Sequence, residues 1–340
     1  MRDDGSRALL LSVRGLAKRF PVHRGLFRRR AGEVHALNGV DLDIAPGETL
    51  GLVGESGSGK TTAGRAILRL LEPSEGLAFF RSRTVAQAGG PETVDLFQAP
   101  PSQLRLLRRD MQIVFQDPYS SLNPRLRIGT NVAEPLRAAG MSRPSRREMV
   151  AQLLDDVGLA SSLMERFPHE LSGGQRQRVA IARALALQPQ FIVADEAVSA
   201  LDVSIQAQVL NLFLELQRAR GLAYLFVAHN LAVVRYVSHR IAVMYLGRIV
   251  ELADTDALFA QPRHPYTEAL IDSVPGAEGA RAVVQGEPPN PIRPPSGCPF
   301  HPRCRYAQPV CATERPPLRQ ITPASAAACH FAETLDLQGV

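Results

Sequence analysis

The run Gly54-Glu55-Ser56-Gly57-Ser58-Gly59-Lys60-Thr61-Thr62 carries the spacing G-x-x-x-x-G-K-S/T, and its chemistry is that of a phosphate cradle. Its glycines let successive backbone N–H groups turn inward around phosphate oxygens, Lys60 sets a cation on the outer two phosphates, and Thr61 offers a hydroxyl to magnesium. Three further polar positions each follow a short apolar run: Gln116 after 111–115, Asp195 and Glu196 after 191–194, and His229 after 222–228. Asp195 suits a ligand of Mg²⁺, and Glu196 suits the polarisation of an attacking water, a general-base role worth roughly 10²–10⁴ in rate. Gln116 suits a neutral sensor of metal and water, and His229 a donor to a γ-phosphate. Taken singly, a glutamine at a strand end or a lone histidine carries no such message. Leu171-Ser172-Gly173-Gly174-Gln175 is a second glycine-rich loop at a helix start, and so a second phosphate-binding device, yet the chain holds one G-x-x-x-x-G-K-S/T. Two chains facing head to tail would let each such loop cap the γ-phosphate held by the other.

These positions ask for particular elements around them. Residues 49–53 read as a short buried strand, and Ala63, Ala66, Ile67, Leu70 and Leu71 share one face of a helix that stops before Pro73. The cradle therefore sits at a helix N-terminus, where the dipole favours an anion. The unbroken apolar runs at 191–194 and 222–228 are of the kind buried on both faces of a parallel sheet. In such a sheet the ligand lies outside the carboxyl ends of the strands, so four strands deliver their groups to one place. Upstream, strands are expected at 9–13, 34–37 and 40–44, before the Pro46-Gly47 turn. Phe20 stands there as an isolated aromatic, equally suited to packing and to stacking on an adenine ring. Residues 76–105, broken by Gly89-Gly90-Pro91 and Pro100-Pro101, are expected as strands and loops. Met149, Val150, Leu153, Leu154 and Val157 recur at helical spacing and close on Gly158, which makes 117–170 a mainly helical insertion. Further helices are expected from about 176 to 187 and from after Asp202 to about 220.

A chain of 340 residues accommodates one large domain with an appendage or two modest ones, and 45% hydrophobic with 21% charged residues is ordinary for a globular protein. The apolar runs fall far short of the ~20 residues of a membrane span. Met1-Arg2-Asp3-Asp4 leads into no apolar secretory core, so a cytosolic chain is expected. The net charge is +6, the chain has no tryptophan, and its arginines are scattered over 24–30, 105–109 and 143–147. No basic face interleaved with aromatics emerges, so nucleic acid is not expected as a partner. The arginines of 24–30 suit anionic lipid headgroups should the chain sit on a membrane.

Beyond Pro265 proline and glycine accumulate, and all four cysteines appear, Cys298, Cys304, Cys311 and Cys329, with spacers of five, six and seventeen residues. Such clustering in a cytosolic chain argues for a metal rather than disulfides. Zinc sites favour tighter pairs, so the spacing fits a cysteine-ligated iron–sulfur cluster at least as well, with zinc and unligated thiols as the alternatives.

Together the phosphate loop, Gln116, Leu171 to Gln175, Asp195-Glu196, the stretch Ser199-Ala200-Leu201-Asp202 and His229 resemble the full motif set of an ATP-binding cassette (ABC) ATPase over about residues 8–262. The resemblance implies an α/β P-loop NTPase core, a mostly parallel sheet with an antiparallel β subdomain, and a helical subdomain at about 117–175. It also implies ATP with Mg²⁺ held by Thr61, Gln116 and Asp195, and catalysis by Glu196, His229 and Gln116. Phe20 becomes the adenine-stacking aromatic. Ser172, Gly173, Gly174 and Gln175 would act across a sandwich dimer, with Ser199 to Asp202 beside them.

Phe115-Gln116-Asp117-Pro118-Tyr119-Ser120-Ser121-Leu122-Asn123-Pro124, Asp195-Glu196-Ala197-Val198-Ser199-Ala200-Leu201-Asp202-Val203-Ser204 and His264-Pro265-Tyr266-Thr267 resemble, more narrowly, the F-type ATPase subunits of bacterial oligopeptide/dipeptide (and nickel) importers. Thr61 where serine is common, and Ala228-His229-Asn230 where Ser-His-Asp is usual, are small departures; residues 77–101 follow the family poorly. This resemblance implies peptide uptake through a separate permease, with nickel, glutathione or a non-transport role as alternatives. It implies as partners a second ATPase subunit, a paralogue or the same chain, two permease subunits docked beside Gln116, and indirectly an extracytoplasmic peptide-binding protein. The place implied is the cytoplasmic face of the inner membrane, as a peripheral subunit. Residues 263–335 would form the cysteine-bearing extension, in which some family members hold a four-iron four-sulfur cluster.

Overall fold

The computed structural model describes residues 9–24, 29–117, 121–273, 286–287, 289–290 and 292–339, with side chains left undescribed over 23–31. The arginine side chains of 24–30, and Pro118 to Ser120, therefore lie outside what is described. Among the described residues, one sheet is antiparallel in the order β2-β1-β4-β5, built from β1 (Leu11–Arg24), β2 (Arg29–Ile44), β4 (Glu75–Arg81) and β5 (Thr93–Asp95). The larger sheet runs β11-β12-β10-β9-β3-β8-β7-β6. Its strands are β3 (Thr49–Val53), β6 (Met111–Val114), β7 (Phe191–Asp195), β8 (Ala223–Val227), β9 (Arg240–Tyr245), β10 (Arg248–Asp254), β11 (Arg319–Thr322) and β12 (Ser325–Ala327). From β9 to β6 neighbours are parallel; β10, β12 and β11 continue antiparallel, so two strands of the tail extend the core sheet.

The unbroken apolar runs have a direct structural cause. In β7 and β8, Phe191, Val193, Ala223, Leu225 and Val227 face a core shared with the helix Lys60–Ile67 and the antiparallel sheet. Their alternate neighbours Ile192, Ala194, Tyr224 and Phe226 face a second core, under the helices Ile128–Ala138, Gly173–Leu185 and Val203–Arg220. Both faces are dry, so no polar residue alternates. The burial of each such side chain stabilises the sandwich by about 1.5–3 kcal/mol before entropy is counted.

Several expected boundaries move. The first two strands are long and bulged, with register shifts around Val13 to Leu16 where Gly15 takes φ +60°, and are not the three short segments that the pattern suggested. The helix after the cradle ends at Ile67 rather than near Pro73, because Leu70 is turned out to solvent and Arg69 donates to the carbonyls of Leu96 and Ala99. Ser172 caps the next functional helix, so it starts at Gly173, three residues early. Residues 76–105 contain the helices Arg83–Gln87 and Pro101–Asp110 besides the expected strands. The insertion is helical, through Ile128–Ala138 and Arg143–Asp156.

Candidate functional site

The loop between β3 and the helix Lys60–Ile67 is shaped by its last glycine. Gly59 takes φ +106°, and a Cβ there would stand 2.4 Å from the carbonyl oxygen of Ala36 on β2, so the cradle closes against the antiparallel sheet only with glycine. Lys60 follows, buried, its Nζ donating to the carbonyl oxygens of Gly54 at 2.7 Å and Glu55 at 2.9 Å. Burial pushes the ammonium below its usual range, and the carboxylates of Glu196, Asp195 and Glu55 work against that shift.

β7 ends on Asp195, which accepts a hydrogen bond from Thr61 Oγ1 at 2.8 Å. Burial pushes the Asp195 carboxyl up; the Thr61 bond and the Arg65 guanidinium, 3.5 Å away, hold it down. The next residue, Glu196, has φ +50°, a left-handed conformation uncommon outside glycine, and its N–H donates to Val227 of β8 at 2.9 Å. Such backbone costs about 1–3 kcal/mol and collects at functional sites. It turns the carboxylate across the strand ends, where Oε2 accepts from Gln116 Nε2 at 3.0 Å and lies 3.5 Å from His229 Nδ1. Groups from the ends of β6, β7 and β8 thus meet beside the loop that follows β3. A cavity of about 330 Å³ opens there, lined by Ser56, Gly57 and Gly59 to Thr62 together with Gln116 and Glu196.

Not every expected residue reaches this cavity. Phe20 lies outside its lining, paired across β1 and β2 with Val34, which belongs to it; Lys18 Nζ sits 5.1 Å from the Phe20 ring centre. Ser172 to Gln175 are absent from the lining too. They form a capping box in which the Ser172 N–H donates to Gln175 Oε1 at 3.0 Å and the Gln175 N–H to Ser172 Oγ at 3.3 Å. Ser199 links back to the site, its N–H and Oγ donating to the Glu196 carbonyl at 3.1 and 2.9 Å, and Leu201 approaches Gly173.

Sequence reasoning missed the far wall, made by His35, Ala36, Leu246 and Gly247. Leu246 and Gly247 form the tight turn between β9 and β10, both at positive φ, and the Gly247 N–H donates to the Ser58 carbonyl at 2.8 Å. A glycine between two apolar runs was the available signal. Also missed was the tie between loop and tail, in which Arg303 forks onto Glu55 with contacts of 2.9 and 3.0 Å.

The four cysteines share one small apolar cavity with His264, Phe300 and Phe331. Burial pushes the Cys304 thiol up to about 12 and that of Cys329 to about 11, with the neighbouring cysteines adding to it, and Cys298 is raised likewise. Among the described residues, no three His, Cys, Asp or Glu side chains are grouped to hold a metal ion. The expectation of a cluster thus gains a shared location and no ligand geometry. Among those residues, too, no helix is long and apolar enough to cross a membrane.

Comparison with known proteins agrees with this geometry. A family model described as ABC transporter matches residues 37–199, and one described as the C-terminal region of oligopeptide/dipeptide transporters matches 250–311. The chain is 49% identical over 326 residues to a probable peptide ABC transporter ATP-binding protein, y4tS, of Sinorhizobium fredii, covering 94% of this chain and 89% of that one. It is 46% identical over 330 residues to the oligopeptide transport ATP-binding protein AppF of Bacillus subtilis, covering 95% and 97%. Its fold matches the dimeric post-hydrolysis structure of the ATP-binding cassette MJ0796 bound to ADP and Pi, with TM-score 0.60 and 29% identity over 72% of this chain and 98% of that one. It likewise matches cbiO1 of Clostridium perfringens, part of the transporter complex cbiONQ, with TM-score 0.61 and 25% identity over 74% and 91%.

Proposed function

The chain belongs to the ABC transporter family of ATP-binding proteins, and on that premise we propose that it is the ATPase subunit that powers peptide uptake through a separate membrane permease. One observation carries the catalytic part: Gln116, Glu196 and His229, from three strand ends, converge beside Lys60 and the Thr61–Asp195 pair.

The N–H groups of 57–62 cradle the phosphates of ATP, and the Lys60 ammonium exchanges its carbonyl partners for phosphate oxygens. Thr61, Asp195 and Gln116 would hold the Mg²⁺ that accompanies ATP, and the ion would supply charge neutralisation. Glu196 takes a proton from the attacking water as its oxygen bonds to the γ-phosphorus and the bond to the β-phosphate oxygen breaks, giving ADP and phosphate. Gln116 and His229 fix the Glu196 carboxylate, and His229 donates to the γ-phosphate. Phe20, outside the lining and paired across the strands with Val34 of it, is assigned to stack on the adenine.

We assign residues 8–262 to the nucleotide-binding unit, 117–175 to its helical subdomain and 263–335 to an extension. A second cassette, a paralogue or another copy, presents its Ser172 to Gln175 to this ATP, with Ser199 to Asp202 alongside. Exposed Ser172 and the 83% exposure of apolar Val203 just past Asp202 support such a face. Two permease subunits dock beside Gln116 and hold the chain at the cytoplasmic face of the inner membrane; a peptide-binding protein acts from the other side. We assign the tail's thiols to a four-iron four-sulfur cluster rather than to one zinc ion because their spacers of five, six and seventeen residues are wider than the close pairs of zinc sites. Support comes from four thiols around one apolar cavity and from the Phe331 N–H, 3.4 Å from Cys329 Sγ. Anaerobically purified chain should contain iron; stoichiometric zinc without iron refutes the cluster.

The function itself is tested by purifying the tagged chain from membranes and reconstituting what comes with it. Two permease subunits and ATP hydrolysis stimulated by peptide are expected. Hydrolysis indifferent to peptide but stimulated by another solute would overturn the peptide assignment.

A further inference from the structure

The phosphate loop is held from behind by the far end of the chain. The Glu55 N–H donates to the hydroxyl of Tyr266 at 2.8 Å, and the Glu55 carboxylate receives both terminal nitrogens of Arg303, at 2.9 and 3.0 Å. The Arg303 side chain is only 6% exposed and its NH1 also reaches the Tyr245 hydroxyl at 3.3 Å. A planar fork on a carboxylate fixes direction as well as distance, which a lysine cannot do. Among the described residues the buried Arg303 Nε has no partner, a cost that the fork on Glu55 must offset.

Arg303 is equally bound to the cysteine cavity. It closes the turn His301–Arg303, in which the His301 N–H donates to the Cys298 carbonyl at 3.1 Å and the Arg303 N–H to that of Phe300 at 2.9 Å. Cys298 and Cys304 flank this turn and both line the cavity. Phe300 packs edge-on against Tyr245 and tilted against Tyr266, with ring centres 5.3 Å apart in each pair. The tail therefore presses one rigid aromatic cluster and one guanidinium against the loop. Whatever respaces Cys298 and Cys304, such as ligation or oxidation, re-aims Arg303.

We propose that Arg303 is a positioning residue of the phosphate loop, holding Glu55 so that the state of the tail's cysteine cavity is read out as affinity for MgATP. This rests on the reading of the loop as the ATP site. It makes the two sites thermodynamically linked, so the influence is reciprocal.

The test uses the full chain. Arg303→Gln should raise KM for MgATP roughly tenfold and leave kcat within about twofold, since the loop's groups remain but their arrangement is no longer prepaid. Arg303→Lys should fall between, keeping charge without the fork. Arg81→Gln, which breaks the exposed pair with Glu92 in the antiparallel sheet, away from the tail, should leave KM unchanged. In the unaltered chain MgATP should slow amide exchange over 298–306 by roughly tenfold, and this protection should vanish in Arg303→Gln. An unchanged KM in Arg303→Gln, an equal rise in Arg81→Gln, or exchange at 298–306 indifferent to MgATP overturns the proposal. Failure of the unaltered chain to bind MgATP removes the functional reading and this proposal with it.

Discussion

Glu251 is a carboxyl with no exposure, placed on β10 at the corner that launches the helix Pro265–Asp272 and hence Tyr266. Its oxygens accept the N–H groups of Arg263 at 2.7 Å and His264 at 2.9 Å. Burial nevertheless pushes it up from the usual 4.5 to about 7, with those bonds and the Arg263 charge opposing. The folded chain thus keeps this proton at higher pH than the unfolded chain does. Its contribution is complete below about pH 4.5, declines as pH rises, and is gone above about 7. At 1.36 kcal/mol per pH unit the decline amounts to about 3 kcal/mol. His264 behaves oppositely: burial pushes its imidazole from 6.5 to about 3, so its contribution is complete above 6.5 and is lost as pH falls. Between pH 4.5 and 6.5 the two slopes cancel in the unaltered chain. Urea unfolding of Glu251→Gln at intervals from pH 4.5 to 7.5 should uncover the histidine slope, stability rising by about 3 kcal/mol to pH 6.5. The difference between unaltered chain and variant should shrink steadily up to pH 7. Parallel stability profiles for the two would refute the reasoning.

Glu196→Gln keeps the volume and the Gln116 contact but cannot accept a proton; turnover should fall by roughly 10²–10⁴ while MgATP binding persists, in single-turnover and equilibrium-binding assays. Unchanged hydrolysis would reject Glu196 as the base. A Cβ on Gly174 would lie 2.5 Å from Ile205 Cγ2, so Gly174→Ala should push the helix Gly173–Leu185 off its neighbour Val203–Arg220 at a cost of about 1–3 kcal/mol, read as a lower Tm. An unshifted Tm would show that Ile205 gives way freely.

The legible part of the molecule is the part that obeys local rules. Gln116, Glu196 and His229 stood out because each follows an apolar run, and a strand buried on both faces announces both itself and its end; Lys60 stood out by its spacing from Gly54 and Gly59. The helix Pro101–Asp110 was not found, because what fixes that region is Asp110, buried, accepting from Ser82 Oγ at 2.6 Å, the Thr84 N–H at 2.8 Å and Thr84 Oγ1 at 2.6 Å. Such long-range satisfaction of a buried carboxylate leaves no periodic trace. The same holds for Arg303 and Glu55, 248 positions apart. Cysteine spacing singled out the tail, where the four thiols line one cavity, and could not disclose that the tail adds β11 and β12 to the core sheet.

The two glycine-rich loops solve one problem by different means. Around Lys60 the donors converge from a strand-to-helix loop whose far side is clamped by Tyr266 and Arg303, so the cradle is preorganised by its own chain. At Ser172 the capping box already engages that residue's N–H and the N–H of Gln175. Gly173 and the buried Gly174 follow in the first turn of the helix, where the dipole adds positive potential. Gly174 must be small on its inner side because Ile205 is there, and Gly173 lies against Leu201. The packing that seats this helix beside Ser199 to Asp202 therefore also sets the direction of its first turn, and in the proposed dimer any substitution that relieves the packing re-aims that turn relative to the ATP of the other cassette.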